Sequence, residues 1–442
     1  MSAPLTTSSV WSFSSKFSFR FFCCFFLLYI FPFPLDNIPF VSEISKINEN
    51  LTGWYYKIFE AYGNIWHAFI PWVGAKVLNL DYPITIFTNG SGDTTYDYVM
   101  LFTFVSFSLL GAVIWTLLDR QRRSYDKAYY WLRVLVRYYL GYTMLIYGFI
   151  KIFHLQMPSP YLFQLVQPLG DKSPMGLAWT FMGFSKAFSA YTGWGEVIGG
   201  ILLFWRRTTS LGALISVIVM ASVVAMNYSF DIPVKIYSSI LFIGGLFLLT
   251  PDFKRLANLL VWNRPTEPVV YRQMLYKPWQ KKLRLVLKYL FIGYMLYTNI
   301  STCLKNQYEY GDYRKKPLLY GIYNTELLIR NNDTIPPLIT DTTMWKQLVI
   351  QFDKFASVKM MNDTMKRFNF IVDTTKKSIS VYQRNDTLNK SNLFYTLDST
   401  CLTLTGNYKG DTVLMRFRKY DLNRFLLLKR GYNWINEYPL NR

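Results

Sequence analysis

The stretch that decides the fold is YVMLFTFVSFSLLGAVIWTLL, residues 98–118, which contains no charged residue. A helix of about 20 apolar residues is long enough to cross the hydrocarbon core of a bilayer. Six further apolar segments share this composition, and the first of them is shorter than the rest. They run over residues 21–31, 134–153, 187–205, 209–228, 233–250 and 285–303. The pattern predicts a multi-pass membrane protein with the lipid bilayer around the middle of the chain.

Lys and Arg concentrate on alternate connections between these segments. The connection after residue 118 reads DRQRR, and residues 206–207, which join the fourth and fifth segments, are both Arg. Residues 35–97 instead hold three Lys against seven carboxylates. Because loops rich in Lys and Arg face the cytoplasm, the asymmetry predicts a cytoplasmic N-terminus and a C-terminal part on the outside of the membrane. For a bacterial protein, which the motif resemblances described below imply, this is the inner membrane with a periplasmic C-terminal part. The net charge of +21 is spread between apolar segments, which argues against binding of nucleic acid.

The first apolar segment permits two interpretations. Eleven apolar residues after Lys16 and Arg20 suit the core of a signal peptide as well as a membrane anchor. No small-x-small cleavage site precedes Pro32, which favours an anchor that is not cleaved. The C-terminal part is periplasmic under both interpretations.

Three regions follow from the pattern. Residues 1–97 are expected to form an N-terminal anchor helix and a periplasmic interfacial segment, residues 98–303 a six-span membrane core, and residues 304–442 a soluble periplasmic domain. Short apolar runs separated by turns predict an antiparallel β sandwich or small barrel in the last region. These strands are expected at residues 347–352, 368–372, 378–382, 401–405 and 412–417, with a closing strand and turn over 425–434. The expected fold is an all-α polytopic membrane helix bundle with a C-terminal, mostly-β soluble domain.

Asp followed by Thr or Ser recurs in the regions assigned to the outside and not in the inside loops. The pattern resembles the O-glycosylation motif of exported Bacteroidota proteins, although Asp-Thr also suits hairpin turns. Three Asn-Asp-Thr triplets, which begin at residues 332, 362 and 385, match the N-glycosylation sequon as well. The one-sided distribution favours export under each interpretation. The candidate O-glycosylation sites are Thr94, Thr334, Thr342, Thr364, Thr374, Thr387, Ser399 and Thr412.

Ionisable residues inside apolar segments are costly in lipid, so each is a candidate functional residue. Glu196 lies well inside the fourth segment, where nearby glycines permit close helix approach. A Glu at that depth must be protonated, paired with a cation or directed into a cavity. Lys151 and Lys186 are the candidate partners, although Lys151 ends its own segment and could instead snorkel to the interface.

Two more polar stretches stand at the outside ends of the segments. Asn227, Asp231 and Lys235 flank Pro233, so a tight turn gathers them more readily than a continuous helix. They either satisfy the backbone of this turn or form the polar mouth of a pocket between helices. Residues 156–183, which include Trp179, are too apolar for a solvated loop and too broken for one helix, so they must be buried in protein or line a cavity.

Motifs of a self-contained enzyme are not found in the sequence. The chain has two histidines, His67 and His154, and its four cysteines form no Cys-x-x-Cys pair, so no metal site is predicted. A disulfide between Cys303 and Cys401 is an alternative to free thiols, which are favoured. There is no Gly-x-Ser-x-Gly elbow, no His-Glu-x-x-His motif and no phosphate-binding loop.

Several motifs of the core resemble the DoxX-like membrane proteins, in particular the long members found in Bacteroidota. The resemblance covers residues 130–255 well and the β domain only loosely. The motifs are RYYLG at 137–141, YGFIK at 147–151, SPM at 173–175, WTFMG at 179–183, GE at 195–196, RRT at 206–208 and DIPVK at 231–235, with GSGDTT at 90–95.

The resemblance implies a four-helix membrane bundle with flanking spans. Some members of that family are subunits of quinone-linked oxidoreductases, including a thiosulfate:quinone type, and others associate with thiol-redox partners. The glutamate of the fourth span and the lysine that ends the third correspond to Glu196 and Lys151.

Three functions remain open on the sequence. The first is a component of a quinone-linked or thiol-redox membrane system, which needs partners and binds a quinone or lipid-like molecule in the bundle. The second is a non-catalytic scaffold whose exported β domain binds envelope proteins. The third is a small-molecule transporter, although no internal repeat supports it. The pocket of the first hypothesis would be formed by Lys151, Trp179, Glu196, Asn227, Asp231 and Lys235.

Overall fold

The computed structural model describes residues 10–86, 90–268, 277–383, 386, 389–438 and 440–441. The chain divides into two units. The first is helical and comprises Met1–Gln156 with Lys186–Asn306, and the second is built around a β-sheet and comprises Met157–Ser185 with Gln307–Arg442.

A helix covers each of the seven apolar segments predicted from the sequence. The remaining helices are short or lie in the connections. In chain order the helices are α1 (Phe13–Ile30), α2 (Val41–Ile47), α3 (Glu49–Lys76), α4 (Thr95–Leu118), α5 (Asp126–Ile152), α6 (Leu162–Val166), α7 (Pro174–Phe184), α8 (Lys186–Leu203), α9 (Thr209–Ser229), α10 (Lys235–Leu249), α11 (Phe253–Leu260), α12 (Pro278–Glu309) and α13 (Leu426–Lys429).

Within the part of the chain that the structure describes, four helical stretches are long and apolar enough to cross a membrane. They are Phe13–Asn37, Thr95–Leu118, Thr209–Ser229 and Lys235–Leu260. The helices α5, α8 and α12 cover the other three predicted spans, but charged residues, tyrosines and glycines make them more polar. The four helices support association with a membrane, and the full set of seven spans stays a prediction.

Helix α1 begins well before the apolar segment expected at residue 21. Ser12 caps its N-terminus by accepting a hydrogen bond from the Ser15 amide. Arg20 is buried inside the helical unit, and its guanidinium donates to the Tyr125 hydroxyl at 2.7 Å and to the Asp119 carbonyl at 2.9 Å. Because the charge is hydrogen-bonded within the protein, the helix continues past it.

The second unit contains an antiparallel sheet that closes on itself. The short β2 pairs only with β1, and each of the other eight strands pairs along both edges, because β1 also pairs with β9. The strands are β1 (Gly321–Arg330), β2 (Asp333–Thr334), β3 (Trp345–Phe352), β4 (Lys354–Met360), β5 (Met365–Asp373), β6 (Ser378–Gln383), β7 (Ser391–Leu397), β8 (Cys401–Tyr408) and β9 (Asp411–Lys419).

This closure corrects the fold class. The all-α fold expected from the apolar segments is wrong for the chain, which combines a helical unit with a closed eight-stranded β-barrel. The soluble β domain of the prediction is present, and it is a barrel rather than a sandwich. Pairing of β1 with β9 removes the free sheet edges that a sandwich would retain. The predicted closing strand over 425–434 is also wrong, because α13 lies there instead.

Side chains fill the interior of the barrel. Along β7, buried and exposed residues alternate, as expected for a strand with one face in a core. Leu348, Leu402 and Phe417 each have no exposed surface, and Trp345 is buried beside Phe417. The barrel is therefore a packed domain, so that partners or ligands would bind to its outer surface.

The apolar stretch between α5 and α8 belongs to the barrel unit. Leu162 of α6 is buried with Ile322 of β1 and Val349 of β3. The Leu162 amide donates to the Gln351 side chain at 2.7 Å, and Lys359 donates to the Val166 carbonyl at 3.1 Å. Packing on the barrel explains the hydrophobicity of the α6 part of this stretch.

Most of the candidate glycosylation sites are exposed in the barrel unit. Thr94 differs, since it is half-buried and forms a capping box with Asp97 at the start of α4. Thr387 and Asn385 lie outside the described residues. The exposed candidates are Thr334, Thr342, Thr364, Thr374, Ser399 and Thr412.

Candidate functional site

Helices α5 and α8 approach each other through facing glycines. A Cβ atom built on Gly193 would lie 2.6 Å from the Gly148 carbonyl oxygen, and one on Gly200 would lie 3.0 Å from the Gly141 carbonyl oxygen. Only glycine fits at such a distance between two helix backbones. The two pairs are seven residues apart on each antiparallel helix, so they repeat along one face of both. This glycine seam brings the side chains at its end into contact.

A buried ion pair lies at the end of this glycine seam. Lys151 of α5 donates to Oε1 of Glu196 of α8, and the two residues are only 6% and 2% exposed. The other carboxylate oxygen of Glu196 is also buried, and it has no hydrogen-bond partner among the described residues. Such a pair is held by the helix packing rather than by solvent, and its free oxygen can accept one more hydrogen bond or proton.

The backbone next to Lys151 is fixed by a second set of contacts. The Ser189 hydroxyl donates to the Lys151 carbonyl at 3.0 Å, and the His154 amide donates to the same oxygen at 2.9 Å. His154 is buried and has a positive φ of 55°. These bonds satisfy the end of α5 and orient the lysine toward α8.

A cavity of about 240 Å³ lies between α1, α4, α5 and α10. Its polar lining includes three tyrosines, two carboxylates and one serine, and its apolar lining includes Met100, Leu101 and Phe104. A dry cavity of about 150 Å³ accepts benzene, so this one has room for a single substituted ring. We call this space the tyrosine cavity. Its polar residues are Tyr29, Ser91, Asp93, Asp97, Tyr147 and Tyr237.

The carboxylates of the tyrosine cavity are held by helix N-termini. Asp93 accepts hydrogen bonds from the Lys235 amide at 2.6 Å and the Ile236 amide at 3.0 Å, at the start of α10. Asp97 accepts from the Thr94 amide at 2.8 Å, at the start of α4. The amide dipoles of a helix N-terminus favour a negative charge at this position, and the same hydrogen bonds fix the two side chains in the wall of the cavity.

Tyr147 connects the tyrosine cavity with the buried ion pair. It lies one helical turn before Lys151 on α5, and its ring centroid is 6.1 Å from that of Tyr237. Tyr237 is also within 3.4 Å of the Thr143 hydroxyl, hydroxyl oxygen to hydroxyl oxygen. On α5, Tyr147 in the wall of the tyrosine cavity thus lies one turn from Lys151 of the buried ion pair.

The six residues predicted for the pocket fall into three places. Lys151 and Glu196 form the buried pair. Asp231 and Lys235 form an ion pair at 2.7 Å, with the Asp231 side chain 83% exposed, and Asn227 donates to the Ser238 hydroxyl at 3.0 Å. This turn touches the tyrosine cavity through Val234 and the Lys235 amide. Trp179 lies in α7 and belongs to the barrel unit.

Sequence reasoning missed the polar lining of the tyrosine cavity. Asp93 lies in the GSGDTT motif, which was considered only as a glycosylation signal and a family feature. Tyr147 lies within the YGFIK motif, four residues before Lys151. Tyr29 and Tyr237 carry no local signal, because tyrosine in an apolar helix is ordinary near a membrane interface. All four cysteines are free thiols.

Comparisons with known proteins identify one relative. The uncharacterised protein YwoB of Bacillus subtilis strain 168 is 30% identical over 148 residues, which cover 31% of this chain and 86% of that protein. No family model matches the sequence, and no solved structure matches it.

Proposed function

This chain belongs to the family of that Bacillus protein, and we propose that it is a DoxX-like membrane component of a quinone-linked or thiol-redox system. The tyrosine cavity is the observation that carries the proposal. It combines room for one ring with hydroxyl donors, two carboxylates and a nearby buried ion pair. The chain has no Cys-x-x-Cys pair of its own, so its electrons would come from a protein partner in the same membrane.

The residues present suit a quinone ring. A quinone supplies two carbonyl oxygens, which accept hydrogen bonds and take up protons when the ring is reduced. Tyr29, Tyr147 and Tyr237 would donate hydrogen bonds to such oxygens, while Met100 and Phe104 would contact the ring. The Lys151–Glu196 pair, one turn from Tyr147, could hold or release a proton within the protein.

The test is the quinone content of the purified protein in detergent, measured by solvent extraction and mass spectrometry. We expect the wild type to retain quinone and the double variant Tyr147→Phe/Tyr237→Phe to lose most of it. Glu196→Gln should lower the occupancy less. Tyr228→Phe, at an exposed tyrosine of α9, is the matched control and should retain the wild-type amount. An absence of quinone from every preparation, or equal amounts in all variants, would reject the proposal.

The distribution of charges supports a bacterial inner-membrane location. Three buried or half-buried arginines lie at one end of the helical unit, which we call the arginine end. Arg20 donates to the Asp119 carbonyl after α4, Arg133 to the Leu248 carbonyl of α10, and Arg137 to the Thr209 hydroxyl of α9. Asp93 lies before the start of α4, whose 24 residues span about 36 Å. By the positive-inside rule, the arginine end would face the cytoplasm and the barrel would be periplasmic.

Accessibility to protease tests this orientation. Trypsin added to intact spheroplasts should cleave the barrel unit, which carries many exposed Lys and Arg, and it should spare the connection after α4. Trypsin added to inverted vesicles should give the opposite result. Protection of the barrel in spheroplasts would refute the assignment of sides, whereas the tyrosine cavity would be unaffected.

The scaffold hypothesis is the second candidate. It is favoured by the packed interior of the barrel, which leaves the outer surface for recognition. Crosslinking of the full chain in intact cells should then capture a defined envelope protein, and that capture should persist in the Tyr147→Phe/Tyr237→Phe variant. The transporter hypothesis remains third.

A further inference from the structure

A second and larger cavity lies at the arginine end of the helical unit. Its volume is about 660 Å³, and residues of α5, α9, α10 and α11 contribute to its walls. Apolar groups such as Val134 and Leu248 line part of it. Five cationic residues face three carboxylates across this space. The cations are Arg133, Arg137, Arg206, Lys254 and Arg255, and the carboxylates are Asp126, Asp252 and Glu267.

Two of the three carboxylates are already engaged by other groups. Asp252 accepts from Arg255 at 3.0 Å and from the Ser210 hydroxyl at 2.5 Å. Asp126 accepts from the indole nitrogen of Trp11 at 3.2 Å and from the Ser124 hydroxyl at 3.1 Å. Among the described contacts neither carboxylate is bonded to Arg133 or Arg137, and five cations against three carboxylates leave the cavity with an excess of positive charge.

Arg133 and Arg137 lie one turn apart on α5, and the hydrogen bonds they make to described residues all go to neutral groups. Arg133 donates to the Leu248 carbonyl at 3.1 Å, and Arg137 donates to the Thr209 hydroxyl at 3.2 Å. The Nε atoms of both are buried, and within the described ranges they have no hydrogen-bond partner. A buried guanidinium N–H without an acceptor is unfavourable, so a ligand that supplies oxygen acceptors would stabilise this arrangement.

The geometry points to a phosphate-bearing anion as the ligand of this cavity, which we call the arginine cavity. The planar guanidinium fork matches two phosphate oxygens, and two such forks one turn apart can hold one phosphate group. The phosphate could come from a phospholipid headgroup or from a soluble phosphate compound. A lipid is favoured, because the apolar stretches Thr209–Ser229 and Lys235–Leu260 meet the cavity and basic pockets between such helices suit anionic headgroups.

The test uses the full chain in detergent with three probes. These are dioleoyl-phosphatidylglycerol, dioleoyl-phosphatidylcholine and inorganic phosphate, with lipid retention followed by native mass spectrometry and phosphate binding by calorimetry. Phosphatidylglycerol should be retained about tenfold or more above phosphatidylcholine. The variant Arg133→Gln/Arg137→Gln should weaken this binding by about tenfold or more, since each lost charge-assisted hydrogen bond is worth that much.

A matched control separates the arginine cavity from general charge effects. Arg120 and Arg123 are exposed in the connection after α4 and do not line the cavity. Arg120→Gln/Arg123→Gln removes the same charge and should change binding by no more than about twofold. The variant Arg133→Lys/Arg137→Lys keeps the charge and the fold but loses the fork, and it should bind with intermediate strength.

Each result has a defined meaning. Retention of phosphatidylglycerol that depends on Arg133 and Arg137, and that inorganic phosphate does not displace, supports a lipid site. Binding of inorganic phosphate that depends on the same two residues supports the anion site with a soluble source. Equal behaviour of the cavity variants and the control, for every probe, would overturn the proposal.

Discussion

Breaking the buried Lys151–Glu196 pair should destabilise the helical unit strongly. Both side chains are almost fully buried, so water cannot screen the charge that remains when one partner is removed. The loss of one partner of a buried pair costs about 3–5 kcal/mol. We therefore expect Lys151→Met and Glu196→Met each to lower the free energy of unfolding by that amount, or about two to four orders of magnitude in the equilibrium constant.

The double variant gives the decisive measurement. Lys151→Met/Glu196→Met removes both charges and replaces them with side chains of similar volume, so it should lie within about 2 kcal/mol of the wild type. Asp231→Asn is the control, because it breaks an ion pair whose carboxylate is exposed and should cost less than about 1 kcal/mol. Unfolding is followed by tryptophan fluorescence as the detergent-solubilised chain is titrated with SDS. If the double variant lost the sum of the two single effects, the charges would not be coupled and our account of the pair would be wrong.

Three further predictions concern packing and ionisation. Gly148→Ala should destabilise the helical unit by about 1–3 kcal/mol, because the added methyl group would collide with the α8 backbone. In the same SDS titration Gly53→Ala should be neutral or stabilising, because a methyl group there has no neighbouring atom within 4 Å. Phe417→Ala should cost the barrel about 3–5 kcal/mol in thermal unfolding, whereas Phe394→Ala, at a side chain 62% exposed, should cost much less. Two lysines hold the pKa of Asp363 below its ordinary value of 3.8, so the ionised carboxylate stabilises the barrel above about pH 4, and this stabilisation is lost as the pH falls further. Asp363→Asn should therefore reduce the acid-induced loss of barrel melting temperature. An unchanged dependence of the melting temperature on pH would contradict this.

Long apolar segments could be located from the sequence, but their ends could not. Arg20 looked like the boundary of the first segment, because a charge is costly in lipid. In the structure its guanidinium is satisfied by Tyr125 and Asp119, which are about 100 residues further along the chain. A local sequence pattern does not reveal such a pairing, so helix ends that depend on long-range hydrogen bonds cannot be predicted from it.

The closure of the barrel could not be predicted from the sequence for a similar reason. Short apolar runs predicted five of the strands, namely β3, β5, β6, β8 and β9, but not β1, β2, β4 or β7. The strand β1 was missed although it pairs with both β3 and β9. Whether the first and last strands meet depends on twist and strand number, which local propensity does not determine. The apolar stretch around Leu162 was expected either to be buried in protein or to line a cavity, and the sequence did not indicate that Leu162 packs on the barrel.

The candidate site was predictable where the chemistry lay within one or two helices. Glu196 and Lys151 were identified because charge is rare in apolar segments, and the structure brings them together. The tyrosine cavity takes its polar groups from four separate helices or their adjacent turns, and each group is unremarkable in its own segment. Only the packing of α5 against its neighbours turns these residues into one site.

Helix α5 carries both proposed binding sites, and their separation determines whether they act together. Arg137 of the arginine cavity and Tyr147 of the tyrosine cavity are 10 residues apart, which corresponds to about 15 Å along the helix. Substitutions more than about 10 Å apart with no shared partner usually have additive effects. Loss of phosphate binding at the arginine end should therefore leave quinone retention unchanged. If Arg133→Gln/Arg137→Gln also released quinone, α5 would have to move as a rigid element between two positions, and the two cavities would be coupled sites rather than neighbours on one helix.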